Sequence, residues 1–129
     1  MSEIPDDFQY TSTHEWVHVG ADGIATVGIT DFAQHLAGNI TFIALPRVGE
    51  RLTSQDACAV VESSKVACEV RCPFSGTVTA VNEELAQNGS QVNAQPYAAW
   101  LVQLQPTDPP GTATLLDADG YRRLLRDSI

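Results

Sequence analysis

The sequence predicts a mainly β protein, a sandwich or barrel of short strands. Short apolar segments alternate with turn residues at close spacing through most of the chain. Residues 16–19 and 24–29 flank Gly20-Ala21-Asp22-Gly23, which reads as a hairpin with a glycine-containing turn. Residues 57–61 and 66–72 flank a polar tip, Ser63-Ser64-Lys65, and read as two further strands.

The remaining elements follow in order. Thr30-Asp31 offers an N-cap for a short helix over 32–37, and Gly38 closes it. Residues 40–45 form a strand stopped by Pro46, and Val48-Gly49-Glu50 is a turn leading to Arg51-Leu52-Thr53. Pro73 and Ser75-Gly76 end the strand over 66–72, and 77–81 forms the next. Asn82 caps a short turn of helix through Leu85, and 97–104 is the last strand. Three prolines within 106–111 mark a linker. Apolar residues at 115, 116, 121, 124 and 125 then have the spacing of an amphipathic helix over about 114–126. A chain of 129 residues suits one domain, 1–129, with its core over about 8–105.

Composition excludes several classes. Sixteen acidic against seven basic residues give a net charge of −9, which lacks the basic footprint nucleic acid requires. The same charge suits a mobile protein that visits partners with positive patches, although solubility alone accounts for it equally well. No apolar run is long enough to span a membrane. The acidic start, with neither a basic segment nor an apolar stretch behind it, predicts a cytoplasmic bacterial protein. Cys58, Cys68 and Cys72 are odd in number and form no CxxC, so they read neither as a disulfide framework nor as a metal site.

One compositional oddity points to function. Lys65 is the single lysine, and the other six basic residues are arginines. Its hairpin places Val66, Cys68, Val70 and Cys72 on one face by the period of two, and Ala67, Glu69 and Arg71 on the other. The first face reads as core and the second as solvated, so the hairpin is anchored while its tip projects. An accessible lysine amine at such a tip suits covalent acylation, which turns it into a long uncharged arm. A solvated turn lysine without function fits the local pattern equally well.

Glu62-Ser63-Ser64-Lys65 resembles the Glu-Ser-x-Lys lipoylation site of glycine cleavage system H proteins. The resemblance runs along nearly the whole chain. His14-Glu15-Trp16-Val17, the 28–34 segment Gly-Ile-Thr-Asp-Phe-Ala-Gln, Leu45-Pro46 with Val48-Gly49, Pro73 with Ser75-Gly76, and Val81-Asn82 follow in family order. Val92-Asn93, Pro96-Tyr97, Trp100, and Leu115-Leu116-Asp117 with Tyr121 complete it.

The resemblance implies a barrel-sandwich hybrid of two small antiparallel sheets with a C-terminal helix, carrying lipoate in an amide bond on Lys65. It implies a non-catalytic, monomeric carrier, lipoylated by a lipoate ligase or lipoyl transferase. Its further partners would be glycine decarboxylase, aminomethyltransferase and dihydrolipoyl dehydrogenase. Glu62 is the residue implied for ligase recognition, beside Ser63 and Ser64 of the motif. Glu15 and Glu69 match the carboxylates that face the loaded arm in its cleft, with Glu69 in place of the family's aspartate.

Departures from the family pattern open other readings. Ser64 and Val66 flank the lysine where small or apolar residues are usual, Gln55 and Asn39 replace a glycine and an acid, the segment at 96–100 is shortened, and Cys58 replaces an aromatic. With the hairpin centred on Lys65, Cys58 and Cys72 fall roughly opposite each other. The three cysteines read as small core residues, or alternatively as thiols acting near the arm. A related carrier reading is the H-protein-like lipoate-binding protein that serves sulfur oxidation with a heterodisulfide-reductase-like complex. A binding module of the same fold whose lysine stays unmodified is the reading from another class. A biotin carrier would show Met-Lys-Met, an acyltransferase lipoyl domain Asp-Lys-Ala, and a hydrolase a nucleophile–base constellation; the sequence has none of these.

Overall fold

The computed structural model describes residues 3–107 and 115–127. Among these residues nine strands and four short helices follow in the order β1 (Gln9–Tyr10), β2 (Glu15–Val19), β3 (Ala25–Ile29), α1 (Asp31–Ala37), β4 (Ile40–Ala44), β5 (Arg51–Leu52), β6 (Ala57–Ser63), β7 (Ala67–Arg71), β8 (Gly76–Val81), α2 (Glu84–Gln87), α3 (Ser90–Ala94), β9 (Val102–Pro106) and α4 (Ala118–Asp127). They build two antiparallel sheets, one of six strands ordered β1-β2-β3-β9-β8-β5 and one of three ordered β4-β6-β7. The mainly β class and the two-sheet arrangement with a C-terminal helix agree with the expectation.

The main core contains Val17, Val27, Ile43, Val61, Val70, Val78 and Leu104, drawn from both sheets. A second cluster is aromatic. Tyr10 stacks on Tyr121 of α4 with ring centroids 4.7 Å apart, and Phe8 stacks on Trp16 at the same distance. Trp16 needs Gly28 as its cross-strand partner, because a Cβ there would lie 2.5 Å from the indole.

Local signals set α1 as expected. The Thr30 hydroxyl accepts the Ala33 N–H at 3.2 Å, and Gly38 ends the helix at φ 82°. Elsewhere tertiary contacts override the local pattern. The strand expected over 97–104 begins only at Val102. Tyr97 turns aside to stack on Phe8, and the Trp100 carbonyl takes the side-chain amide of Asn82. That amide therefore caps no helix, and α2 starts at Glu84 without a side-chain cap.

The C-terminal helix starts at Ala118, later than its apolar spacing suggests, because Leu116 exchanges both backbone hydrogen bonds with Tyr10 at 2.7 Å. Asp117 accepts the Gly120 N–H at 2.7 Å, satisfying a free donor at the start of that helix. Pro106 is the last residue of β9, paired with Gly76, and the remainder of the expected linker, 108–111, lies outside the described residues, as does position 114 of the expected helix. β1 and α3 were not expected; each is too short to leave a periodic signal.

Candidate functional site

The lysine hairpin forms where the sequence places it. β6 pairs with β7 from Ala57↔Arg71 to Glu62↔Ala67, and Ser63 donates its backbone N–H to the Val66 carbonyl at 2.9 Å. The Ser63 hydroxyl oxygen accepts the N–H groups of Lys65 and Val66 at 3.2 and 3.1 Å. One small polar side chain thus satisfies the backbone of the turn and leaves Ser64 and Lys65 exposed. Glu62 is exposed too, in register with Phe42 and Ala67 on the outward face of the three-stranded sheet.

The lysine chain lies against the end of α1. A Cβ built on Gly38 would stand 2.9 Å from Lys65 Cε and 3.5 Å from Nζ, so a larger residue there would displace the lysine chain from this path. The Asn93 amide fixes that helix end by donating to the Gly38 carbonyl at 2.9 Å and to the Gln34 side chain at 2.8 Å. Asn93 also accepts the Ile40 N–H at 2.9 Å, tying α3 to the start of β4.

Beside this path a cavity of about 120 Å³ opens between α1, the turn before β2, and β7; Thr13, Glu15, Leu36, Ala37, Cys68 and Glu69 are among the residues lining it. The structure therefore brings Glu15 and Glu69, which are 54 positions apart, to one cleft next to the segment that carries Lys65.

The two carboxylates differ in environment. Glu15 is only 2% exposed and accepts hydrogen bonds from the hydroxyls of Thr11 and Thr13 and from the Arg71 backbone N–H. Burial pushes its pKa above the ordinary carboxylate value, against the opposing pull of those hydrogen bonds. Glu69 is half exposed and pairs with the Arg71 guanidinium at 2.9 Å.

His14 precedes Glu15 with φ 75°, a left-handed conformation rare for a residue with a side chain. Its Nδ1 lies 2.9 Å from the Tyr121 hydroxyl, which lies 2.8 Å from Thr30 Oγ1. Burial lowers the His14 pKa, which favours the neutral ring. Helix α4 thereby fastens both the His14-Glu15 turn and the N-cap of α1.

Sequence reasoning missed Thr11, Thr13, Gly38 and Tyr121 as parts of this site. Thr11-Ser12-Thr13 just before an acid is a local signal that was there to be read; the Gly38 and Tyr121 contacts are tertiary and have none.

Two expected core positions are corrected. Val66 and Cys68 are exposed, not buried with Val70 and Cys72, because β7 is an edge strand and its tip end runs beyond the core. Cys58 and Cys72 are buried free thiols. A bulge between Ala57 and Ala59 prevents direct pairing of positions 58 and 72, and the Cys72 S–H donates to the Phe74 carbonyl at 3.1 Å. Among the described residues, no group of three or more His, Cys, Asp or Glu side chains is placed to hold a metal ion.

Residues 8–128 match the family model described as glycine cleavage H-protein. The chain is 48% identical over 122 residues to the glycine cleavage system H protein of Nitrosospira multiformis, covering 95% of each chain. It is 47% identical over 128 residues to that of Halorhodospira halophila, covering 98% of each. The crystal structure of a glycine cleavage system H protein from Mycobacterium marinum superposes with a TM-score of 0.86 at 35% identity, over 98% of this chain and all of that one. With its two-sheet fold, its lysine-tipped hairpin and these relatives, the chain belongs to the glycine cleavage H-protein family.

Proposed function

We propose that this chain is a lipoyl carrier of glycine cleavage, with lipoate in amide linkage on Lys65. The observation that carries the reading is the single lysine, exposed on a turn seated by Ser63 and lying beside the Glu15–Glu69 cleft. The residues fit the group. The amine is accessible for acylation, and a partly apolar cavity with two carboxylates stands within the neighbourhood of a long flexible arm. When bound, lipoate supplies a redox-active dithiolane that accepts and releases the cargo.

The chain's own contribution is tethering and shelter. Fixing the arm to a folded body makes its meeting with a docked enzyme effectively intramolecular. Glu15 and Glu69 would face a cationic aminomethyl cargo with negative charge, and the apolar wall from Leu36 and Ala37 would limit water. Glu62, exposed three residues before the lysine, is the element a lipoate ligase or lipoyl transferase would read.

Glycine decarboxylase, aminomethyltransferase and dihydrolipoyl dehydrogenase are the partners this role requires, and the protein would act without catalysing a step itself. A cytoplasmic bacterial setting suits the bacterial relatives, and no helix among the described residues is long and apolar enough to cross a membrane. The family and the relatives favour glycine cleavage over sulfur carriage with a heterodisulfide-reductase-like complex, and over an unmodified binding module.

Co-expression with lipoate ligase followed by intact mass measurement tests the attachment. One lipoyl increment is expected on the natural chain and none on Lys65→Arg; its absence from the natural chain, or its persistence in the variant, refutes the site. Glycine-dependent loading by a decarboxylase then tests the cargo, and failure of a fully lipoylated chain to load removes the glycine cleavage reading.

A further inference from the structure

We propose that Phe42, Glu62 and Val66 form the docking surface for the enzyme that acylates Lys65, an enzyme whose active-site mouth presents an apolar rim and a basic side chain. The proposal rests on the carrier reading and names what that carrier shows its acylating partner. Among the described residues, large apolar side chains are exposed at four positions, Leu36, Phe42, Val48 and Val66. Three of these four lie around the lysine. Val66 follows it directly. Leu36 stands in the last turn of α1, two residues before the Gly38 that the lysine chain crosses. Phe42 stands on β4 in register with Glu62, three residues before the lysine.

Phe42 has no packing role that explains it. Its strand already buries Ile40 and Ile43 in the core, while Phe42 is 45% exposed on the other face. It makes none of the ring contacts found among the described residues. Apolar side chains gathered in this way mark an interaction surface. Glu62 and Lys65 take part in none of the ion pairs among the described residues, so an unpaired carboxylate sits inside the patch. Charge complementarity then calls for a basic group on the partner.

Distance selects the acylating enzyme as the occupant. It must bring the carbonyl carbon of an activated acyl donor to bonding distance of Nζ, so its surface closes over whatever adjoins the tip. The amine attacks that carbonyl, the C–N bond forms, the bond to the leaving group breaks, and one amine proton goes to the leaving group. Enzymes that act later reach for the far end of the arm and need not touch the tip. The lysine chain also lies back against Gly38, so the acylating enzyme must draw it outward while gripping the body. Phe42 and Val66 supply the grip, and Glu62 sets the register.

The test is steady-state lipoylation of the full unmodified chain by a lipoate ligase with lipoate and ATP, read by intact mass. Phe42→Ser should raise KM about tenfold at unchanged kcat, as loss of an aromatic anchor does. Val66→Thr, close to isosteric, should raise it in the same sense, and it decides alone if thermal melts show Phe42→Ser unfolded. Val48→Ser, on the turn tied to β8 through Gly49, should change neither constant. Glu62→Gln should flatten the rise of KM with salt. Lys65→Arg keeps the surface and should inhibit lipoylation of the natural chain competitively, whereas Phe42→Ser,Lys65→Arg should not. An unchanged KM in Val66→Thr and any folded Phe42→Ser, or equal inhibition by Lys65→Arg with and without Phe42→Ser, overturns the docking surface. Reduction of the fully lipoylated arm by dihydrolipoyl dehydrogenase should not differ between Phe42→Ser and the natural chain, and an equal loss there overturns the choice of partner. A natural chain that takes up no lipoyl group defeats the carrier reading as well; undiminished uptake by every variant defeats this proposal alone.

Discussion

The carboxylate of Glu15 accepts the backbone N–H of Arg71 at 3.2 Å, joining the start of β2 to the free edge of the strand that follows Lys65. This one bond links a carboxylate that lines the cleft to the end of β7. It also accounts for an ionisable side chain almost wholly removed from solvent, since Glu15 replaces water with three donors: two hydroxyls and a backbone amide. The donors offset only part of the desolvation, which is why its pKa stays above the ordinary value of 4.5.

That imbalance gives a pH signature. The unfolded Glu15 ionises at its ordinary pKa, while the folded one resists ionisation until a higher pH. Between the two values the unfolded state releases its proton first, so this group's contribution to stability falls as pH rises from the ordinary value through the raised one. Glu15→Gln has no such dependence and keeps acceptor and donor groups for Arg71 and the two threonines. Urea denaturation from pH 4 to 8 should show the variant gaining on the natural chain across that window and then keeping a constant difference from it. A difference independent of pH would falsify the raised pKa.

Gly38 combines φ 82° with ψ −155°, a region essentially reserved for glycine, and lies under the Lys65 chain. Gly38→Ala should lower stability by about 1–3 kcal/mol from backbone strain. Its new methyl would meet Lys65 Cε at 2.9 Å, so the lysine chain must also move. Rates of lipoylation followed by mass spectrometry, beside thermal melts, separate the two effects. An unchanged melt would remove the strain argument.

What the sequence made legible is what short-range chemistry determines. Thr30, Gly38 and the tip Ser63-Ser64-Lys65 announce a cap, a helix stop and a turn within a few residues, and α1 and the β6–β7 hairpin follow them. Glu15 was singled out by resemblance, but its burial depends on Thr11 and on Arg71, 56 residues away. Tyr97 and Leu116 were misplaced for the same reason: each is committed to a partner far along the chain, Phe8 for one and Tyr10 for the other. Alternation placed Cys68 correctly on the face shared by Val61 and Ile43, yet could not say that the edge of the sheet leaves it open.

Tyr121 ties helix α4 to the site through its hydroxyl. With Nδ1 of a neutral His14 as acceptor, Tyr121 donates to His14, Thr30 donates to Tyr121, and the Ala33 N–H donates to Thr30. Tyr121→Phe preserves the stack on Tyr10 but removes the central group and strands a part-buried imidazole nitrogen. A loss of roughly 1–3 kcal/mol is expected in urea denaturation, the cost of leaving such a group unpaired. A variant as stable as the natural chain would show that water replaces the hydroxyl without cost.

Glu69 separates cargo holding from stability. Its carboxylate and the Arg71 guanidinium form a 2.9 Å pair, but the two side chains are 53% and 40% exposed. Exposed pairs of this kind contribute about 0–1 kcal/mol and weaken with salt, so Glu69→Gln should melt almost where the natural chain does. The cleft, however, loses one of its two carboxylates. In the lipoylated, aminomethyl-loaded protein, Glu69→Gln should therefore shorten the lifetime of the cargo in water, and added salt should shrink the difference between the two proteins. Both quantities come from one preparation, by calorimetry and by timed release of formaldehyde and ammonia. A normal cargo lifetime with a normal melt would place Glu69 at the rim as a solvating charge and leave Glu15 as the carboxylate that faces the arm.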